Sequence, residues 1–451
     1  MARNRLLVIG LDCASPRLLF HEYSGLLPNL ERLRAGGWWG EVESCVPPIT
    51  VPAWMVMFTG KEPGELGMYG FRNRIPGTYN DTRVADSTSL QVPPLWARAA
   101  GAGLRSCLIG VPPSYPPYEV NGDMISCFLT PGTDRPYTYP RGLAVELEEQ
   151  ELAYVPDVAF RKENKAEILA SLREMTAGHF EIACYLAEEH PWDLFVMVEI
   201  GLDRVQHAFW RYQDPAHHLY ESGTPFDDAL RDYYRLLDQG IGELLEAAGP
   251  DTAVAVVSDH GAKGMKGAFC VNQWLAEKGY LALQGEVKPG TRLEDAPVDW
   301  PRTKAWGWGG YYARVFLNVE GREPEGVIRP ERFEAEVEAL AEEIRKIRGP
   351  QGEVWDTRAV TPREVYSHTE GDVPDLMVFF DDLSWRAAGT MGHPSMYLEE
   401  NDTGPDDAVH DWRGVGIIYH PEVDMGKRID RDFIPIQDLY GIFVELLGIG
   451  D

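Results

Sequence analysis

Asp12, Asp203 and Asp259 each close a short apolar run, in VIGLD, EIGLD and VVSDH. Apolar runs of this length read as strands of a parallel sheet covered on both faces. Their three carboxylates are then expected at strand C-termini, along one edge of the sheet. One acid at such a place serves equally well as a helix cap. Three uncompensated carboxylates repel one another, and a bound cation is the simplest resolution. The histidines fall beside the acids. His260 follows Asp259 directly, and His207 lies four residues after Asp203, one helical turn away. His410, in VHDWRGVGIIY, leads into another strand-like run and is preferred over His393 in MGHPS as the third imidazole. Taken singly, each Asp/His pair is also a core or surface histidine beside a capping acid. His217 and His218 sit in a polar segment and are expected in solvent. Imidazole with carboxylate suits zinc or a related divalent ion.

The candidate nucleophile is Thr50, in CVPPITVPAWMVMFTG. The segment from Ala53 to Phe58 has the pattern of a helix start. A hydroxyl there is often only an N-cap. Beside a metal, its pKa falls and it becomes an alkoxide nucleophile. A helix N-terminus also favours a bound anion.

The elements that must position these groups are legible as a pattern. Strands are expected in 6–12, 106–111, 193–203, 252–260, 374–380 and 415–419. Helices are expected over 162–189, 227–248, 330–348 and 435–447, with Pro330 and Pro435 in first-turn positions. Alternating strands and helices predict an α/β fold, with a doubly wound, mostly parallel central sheet and helices on both faces. Residues 281–373 differ. They combine Pro/Gly/Asp-rich stretches, an aromatic cluster and one charged helix, and read as an inserted cap or substrate region. The catalytic core is then 1–280 together with 374–451.

Composition narrows the function classes. With 451 residues, 44% hydrophobic and 25% charged, the chain is an ordinary globular protein, not a disordered or collagen-like one. Its net charge of −29 is the wrong sign for a nucleic-acid polymer or an anionic membrane surface. An anionic substrate would need a local reversal of that field. The six cysteines form no CxxC pair and read as reduced thiols. The N-terminal MARNRLLVIGLD does not read as a signal peptide, and no apolar stretch reaches the roughly 18 residues of a membrane span. The cytoplasm is the expected location.

Taken together, GLD at the first strand, the T-x-P…TG segment from Thr50 to Gly60, the D-x-x-x-H of Asp203/His207 and SDHG at Asp259/His260 resemble the alkaline phosphatase superfamily. Within it the type I phosphodiesterase/nucleotide pyrophosphatase family is the branch resembled, from Asp12 to about Tyr419. The resemblance implies two divalent metal ions, usually zinc, with manganese or magnesium as alternatives. By resemblance, Asp203, His207 and His410 hold one ion; Asp12, Asp259 and His260 hold the other, which Thr50 joins as nucleophile. Two such cations would leave the site positive inside an acidic protein. The implied course is in-line attack by Thr50, a covalent phosphoryl- or nucleotidyl-threonine, then hydrolysis.

Departures from the family pattern bear on the substrate. Sulfatases of the superfamily carry C/S-x-P-x-R, and Ile49 stands where the arginine belongs. The family's phosphate-contacting asparagine falls at Phe71, with Arg72 and Asn73 adjacent. Trp306, Trp308, Tyr311 and Tyr312 of the aromatic cluster serve equally well as pocket lining or as the cap's own core; Trp308 and Tyr311 join Phe71, Arg72 and Asn73 as the candidate substrate-binding residues. The implied activity is a phosphodiesterase or nucleotide pyrophosphatase acting on a small-molecule phosphoester. The alternatives on the same fold are a phosphomonoesterase, phosphonate hydrolase or phosphomutase, drawing on cations such as Arg72 and Lys263. An inactive, metal-stabilised binding protein is the alternative of another class.

Overall fold

Leu6–Leu11 has no polar side chain to turn towards water, and it forms β1 in the interior of a nine-stranded sheet, buried at every position. The structure, a computed structural model, describes residues 4–429 and 431–450; the first three residues of the N-terminal segment lie outside them. In chain order the sheet continues with β2 (Trp38–Glu43), β3 (Ser106–Ile109), β4 (Gly122–Ile125), β5 (Thr138–Tyr139), β6 (Leu194–Glu199), β7 (Ala253–Val257), β8 (Arg413–Tyr419) and β9 (Phe433–Pro435). Their spatial order is β9-β2-β8-β7-β1-β6-β3-β4-β5. The stretch from β7 to β4 is parallel, whereas β8 runs antiparallel to both its neighbours and β5 antiparallel to β4. The fold is therefore the mostly parallel α/β architecture that the pattern predicts.

Side chains alternate across the sheet, so one strand feeds two cores. Leu7 and Ile9 of β1 pack under the helices α2 (Lys165–Glu189) and α4 (Ala229–Ala248), through Leu172, Phe180, Leu237 and Ile241. Leu6 and Val8 face α1 (Thr50–Thr59) and α5 (Asp438–Leu446), through Trp54, Phe58 and Phe443. Gly10 has a specific role here. A Cβ at that position would lie 2.4 Å from the Trp54 ring, so the missing side chain lets α1 settle onto the sheet edge.

Several expectations shift by a few residues, and some move between elements. Asp203 does not end a strand. β6 stops at Glu199, and Asp203 lies in the first turn of α3 (Gly201–Gln213). Pro435 closes β9 rather than opening a helix, because its side chain lies in an extended edge strand and α5 begins at Asp438. Pro330 opens a 3-10 turn that continues into a helix at Phe333–Ile344.

The strand expected at 374–380 exists as Leu376–Phe379, but not in the central sheet. It lies inside a second, four-stranded sheet, between Ala313–Leu317 and Arg358–Val360, with Ala305–Trp308 at the other edge. An apolar run reports burial on both faces and not which sheet does the burying. This second sheet has its own core of Trp306, Phe316, Leu340 and Phe380. A separate two-stranded ladder sets Gly261–Gly264 against Ala408–Asp411 and pairs Ala262 with His410. All six cysteines are free thiols. Among the described residues, no helix is long and apolar enough to cross a membrane.

Candidate active site

Parallel register brings the acids together. Gly10 of β1 pairs with Val198 of β6 on one side and Val257 of β7 on the other, so the three strands end level. Asp12 leaves β1 there, Asp259 leaves β7, and the first turn of α3 folds Asp203 back over the same edge. Two clusters result, each with its ligand atoms within 4.8 Å of one another: Asp12, Asp259 and His260 in one, and Asp203, His207, His410 and Cys13 in the other. His260 and His410 stack between them, ring centroids 3.7 Å apart. The Thr50 hydroxyl lies 3.4 Å from His260 Nε2. Thr50 is the first residue of α1 and is buried; the helix caps no amide with its side chain.

The hydrogen bonds fix the tautomers. His260 Nδ1 donates to the Gly261 carbonyl at 3.1 Å and His410 Nδ1 to the Pro48 carbonyl at 2.7 Å. His207 Nδ1 lies 2.7 Å from Asp406 Oδ1. Each imidazole thus directs Nε2 into the site, the arrangement in which an outer acceptor orients a metal-binding histidine. Buried atoms without a hydrogen-bond partner gather at the same place: Asp12 Oδ1, Asp203 Oδ1, Asp259 Oδ2 and His410 Nε2. Orphaned buried oxygens and a lone imidazole nitrogen are costly unless something fills the space. A pair of divalent cations fits that donor set, and the residues present suit zinc.

Electrostatics agree with the geometry. Burial, then the neighbouring Asp203 charge, pushes Asp12 well above the usual carboxylate range; burial and Asp12 do the same to Asp259. Burial would raise Asp203 too, but His207 and Arg204 outweigh it and hold this acid well below the range. Burial pulls His260 down to about 4 and, with His260, pulls His410 down as well. His207 goes up: burial opposes its charge, but Tyr311, Asp406 and Asp203 prevail.

The shifts set the competition for a cation: Asp12, Asp259 and His207 hold a proton more tightly than usual, whereas Asp203, His260 and His410 are shifted towards the forms that offer free lone pairs. Zinc binding is expected to release at least one proton near neutral pH and to weaken about tenfold per pH unit per proton as pH falls. Calorimetric titration of zinc in two buffers of different ionisation enthalpy measures this. Identical heats would contradict it.

All seven residues expected in the chemistry are thus brought together. The candidate substrate-binding residues are not. Only Tyr311 reaches the cluster, with its hydroxyl 3.2 Å from His207 Nε2 and its ring 3.6 Å from that of His410. Phe71 packs edge-on to Phe128 at 6.0 Å, and Asn73 spends its amide on its own turn, accepting from the Tyr69 N–H and donating to the Gly70 carbonyl. Arg72 is exposed and Trp308 is half-buried; both line a separate cavity. Trp306 and Tyr312 are buried core residues. Lys263 is held by Asp382 and Asp411. His393 bonds Thr390 instead, away from both clusters. His217, expected in solvent, is buried against the Asp407 carbonyl, which a local count of polar neighbours does not foresee, whereas His218 is exposed as expected, with Nε2 on the Glu399 carbonyl.

Sequence reasoning missed the supporting shell. Trp54 Nε1 donates to Asp12 Oδ2 at 2.7 Å, and Arg204 Nη1 to Asp203 Oδ2 at 2.7 Å. Asp406 orients His207 and is itself gripped by Arg161 and Arg386. Its spacing from His410, D-x-x-x-H, repeats that of Asp203 and His207 and is the one local signal available. Cys13 has φ +66°, with its N–H on Asp259 Oδ1 and its carbonyl on Gln206 Nε2. Burial and the surrounding carboxylates keep its thiol protonated.

An α/β sheet with a carboxylate–imidazole cluster at the C-terminal edge of its parallel strands, and a hydroxyl on a helix N-terminus above it, defines an alkaline phosphatase-like protein. The sequence matches the family described as type I phosphodiesterase/nucleotide pyrophosphatase over residues 6–406, and the chain belongs to that family. No curated protein matches it at a significant level. Similar solved structures include phosphonoacetate hydrolase from Sinorhizobium meliloti 1021 in complex with phosphonoformate, at 18% identity and TM-score 0.63, covering 99% of this chain and 96% of that one. Murine ectonucleotide pyrophosphatase/phosphodiesterase 5, an inactive form in complex with AMP, is similar at 14% identity and TM-score 0.56, covering 99% and 96%. The human counterpart is similar at 13% identity and TM-score 0.57, covering 99% and 95%. At these identities the likeness is one of fold.

Proposed function

We propose that this protein is a phosphoester hydrolase that uses two divalent cations, most readily zinc, and Thr50 as nucleophile, with phosphodiesters as its substrates. The observation that carries this reading is the convergence of Asp12, Asp259 and His260 with Asp203, His207 and His410 at one sheet edge, with the Thr50 hydroxyl beside His260 and every imidazole turning Nε2 inward. When bound, the cations supply Lewis acidity towards a phosphoryl oxygen and lower the hydroxyl pKa.

The chain's own groups do the rest. Thr50 Oγ gives up its proton and attacks phosphorus in line, and one ester oxygen leaves and is protonated to an alcohol, which gives a threonyl phosphodiester that keeps the other ester arm; water then cleaves the bond from Thr50 Oγ to phosphorus, restores the hydroxyl and releases the phosphomonoester. The first-turn amides of α1 face the attacked group and favour its negative charge. His207 is held at a fixed angle by Asp406. Tyr311, placed beside His207 and His410, is positioned to donate its hydroxyl to a phosphoryl oxygen. We also propose residues 281–373, completed by the strand Leu376–Phe379 that lies inside the same sheet, as the cap that contributes substrate contacts, Tyr311 among them.

A second reading, phosphonate hydrolysis, is favoured by the likeness to phosphonoacetate hydrolase and by Phe71 standing where the family carries asparagine. The test is hydrolysis by the zinc-loaded protein of bis(4-nitrophenyl) phosphate, 4-nitrophenyl phosphate and phosphonoacetate at equal concentration. The diester is expected to turn over fastest. Faster release from the monoester or the phosphonate would replace the diesterase assignment, and no turnover of any would return the protein to a binding role.

A further inference from the structure

Beside the metal-ligand cluster lies a second cavity of about 280 Å³, between the strand that carries Trp308, the hairpin that carries Arg72, and the loop at Thr390. Its cations are unequal. Arg292 is paired with Glu294 at 3.2 Å and Asp295 at 3.4 Å. Arg386 is paired with Asp406 at 2.9 Å. Arg314 has no carboxylate partner among the described residues. It donates to the backbone carbonyl of Arg72 and lies over the Trp308 ring at 5.1 Å. Burial pulls its pKa down and the Arg72 charge adds to that, with only the Tyr312 phenol opposing. Arg72 likewise makes no ion pair among the described residues, and its exposed guanidinium lines the same cavity. The one other acid there, Asp402, is engaged by the Thr390 N–H and hydroxyl.

Two guanidiniums without counter-charge, in a protein of net charge −29, are a local reversal of the field that would otherwise turn anions away. Guanidinium is the group that takes carboxylate or phosphate oxygens two at a time. The cavity also adjoins the chemistry. Gly309 and Gly310 line it immediately before Tyr311, and the Arg386 guanidinium, on its wall, lies 4.1 Å from the Tyr311 ring centroid. That ring carries the hydroxyl beside His207.

We propose that this cavity, through Arg72 and through Arg314 over the face of Trp308, binds a second anionic group of the substrate, so that the preferred substrates are phosphoesters whose non-reacting arm ends in a carboxylate or phosphate. This rests on the phosphoester reading of the neighbouring site. It assigns that site's substrate class.

Three matched diesters test it: ethyl, 2-carboxyethyl and 2-phosphonooxyethyl 4-nitrophenyl phosphate. In the zinc-loaded protein, kcat/KM for at least one charged-arm ester is expected to exceed that of the ethyl ester about 10- to 100-fold, and Arg314→Gln is expected to bring that ratio close to one. Preference for one charged arm identifies carboxylate or phosphate as the bound group. Arg72→Gln, at an exposed position, is expected to lower the ratio several-fold, and it decides the matter should the Arg314 variant melt early by circular dichroism. A wild-type ratio near one, or a ratio that neither substitution changes, overturns the proposal. If none of the esters is cleaved, the hydrolase reading fails on its own account. The cavity is then judged by calorimetry with ethylphosphonate, 2-carboxyethylphosphonate and 1,2-ethylenediphosphonate: charged-arm binding at least tenfold tighter and lost in Arg72→Gln sustains it, and equal affinities overturn it.

Discussion

Thr50→Ala is expected to keep the fold and its bound metal and to lose phosphodiester hydrolysis by roughly 10⁴-fold or more, the scale of removing an activated nucleophile. The structure separates the two effects cleanly. Ile49, not Thr50, occupies the cap position of α1, and no side chain caps that helix. Among the described residues, the Thr50 hydroxyl approaches only His260 Nε2. Its loss therefore removes no structural hydrogen bond to the backbone, and the three carboxylates and three imidazoles remain. Zinc content by elemental analysis and the melting temperature are expected to stay near those of the unsubstituted protein. Thr50→Ser is expected to retain part of the activity, since it keeps the oxygen and loses only the methyl that restrains χ1. Unchanged turnover in Thr50→Ala would exclude this hydroxyl as nucleophile.

The second large effect is expected at a residue that touches no substrate. Asp406 accepts from His207 Nδ1 at 2.7 Å and from Arg161 and Arg386 at 2.8 and 2.9 Å, wholly buried. Burial opposes its charge, but His207 and Arg386 dominate and hold the carboxyl far below its usual range. Asp406→Asn preserves shape but removes the charge. Arg386, buried on the cavity wall, is then left without its counter-ion, a situation that costs about 3–5 kcal/mol in buried pairs. The single carbonyl oxygen of the amide is drawn to Arg161 and Arg386, which donate where Asp406 Oδ2 stood, so the NH2 turns to His207 Nδ1 and disfavours the tautomer that directs Nε2 inward, which lowers metal affinity about 10- to 100-fold. Denaturant unfolding of the metal-free protein reads the first effect, and competition with a chelator reads the second. A variant with both quantities unchanged would remove Asp406 from the site's support.

Legibility in the sequence followed the range of the interaction that decides each feature. The strand cores were legible because a strand covered on both faces carries few polar residues; Leu6–Leu11 and Ala253–Val257 carry none, and Leu194–Glu199 carries one, Glu199 at its end, bonded by Thr176 and His179. The pair Asp203 and His207 was legible because a helix repeats within one turn. Trp308 and Tyr311 were not told apart, since both are aromatic residues in one glycine-rich stretch; one lines the arginine cavity and the other stands against two imidazoles.

By itself, the sequence determined the parallel α/β class, the chemical types gathered at the strand ends and the hydroxyl set at the start of α1. These depend on local periodicity and on side-chain chemistry, which a chain carries wherever it goes. Tertiary structure alone decided that 376–379 joins the second sheet, that Asp406 stands behind His207, and that Arg314 faces its cavity without a carboxylate partner. Those outcomes are set by which distant segments share one small volume, and charge balance within such a volume has no trace in the spacing of residues along the chain.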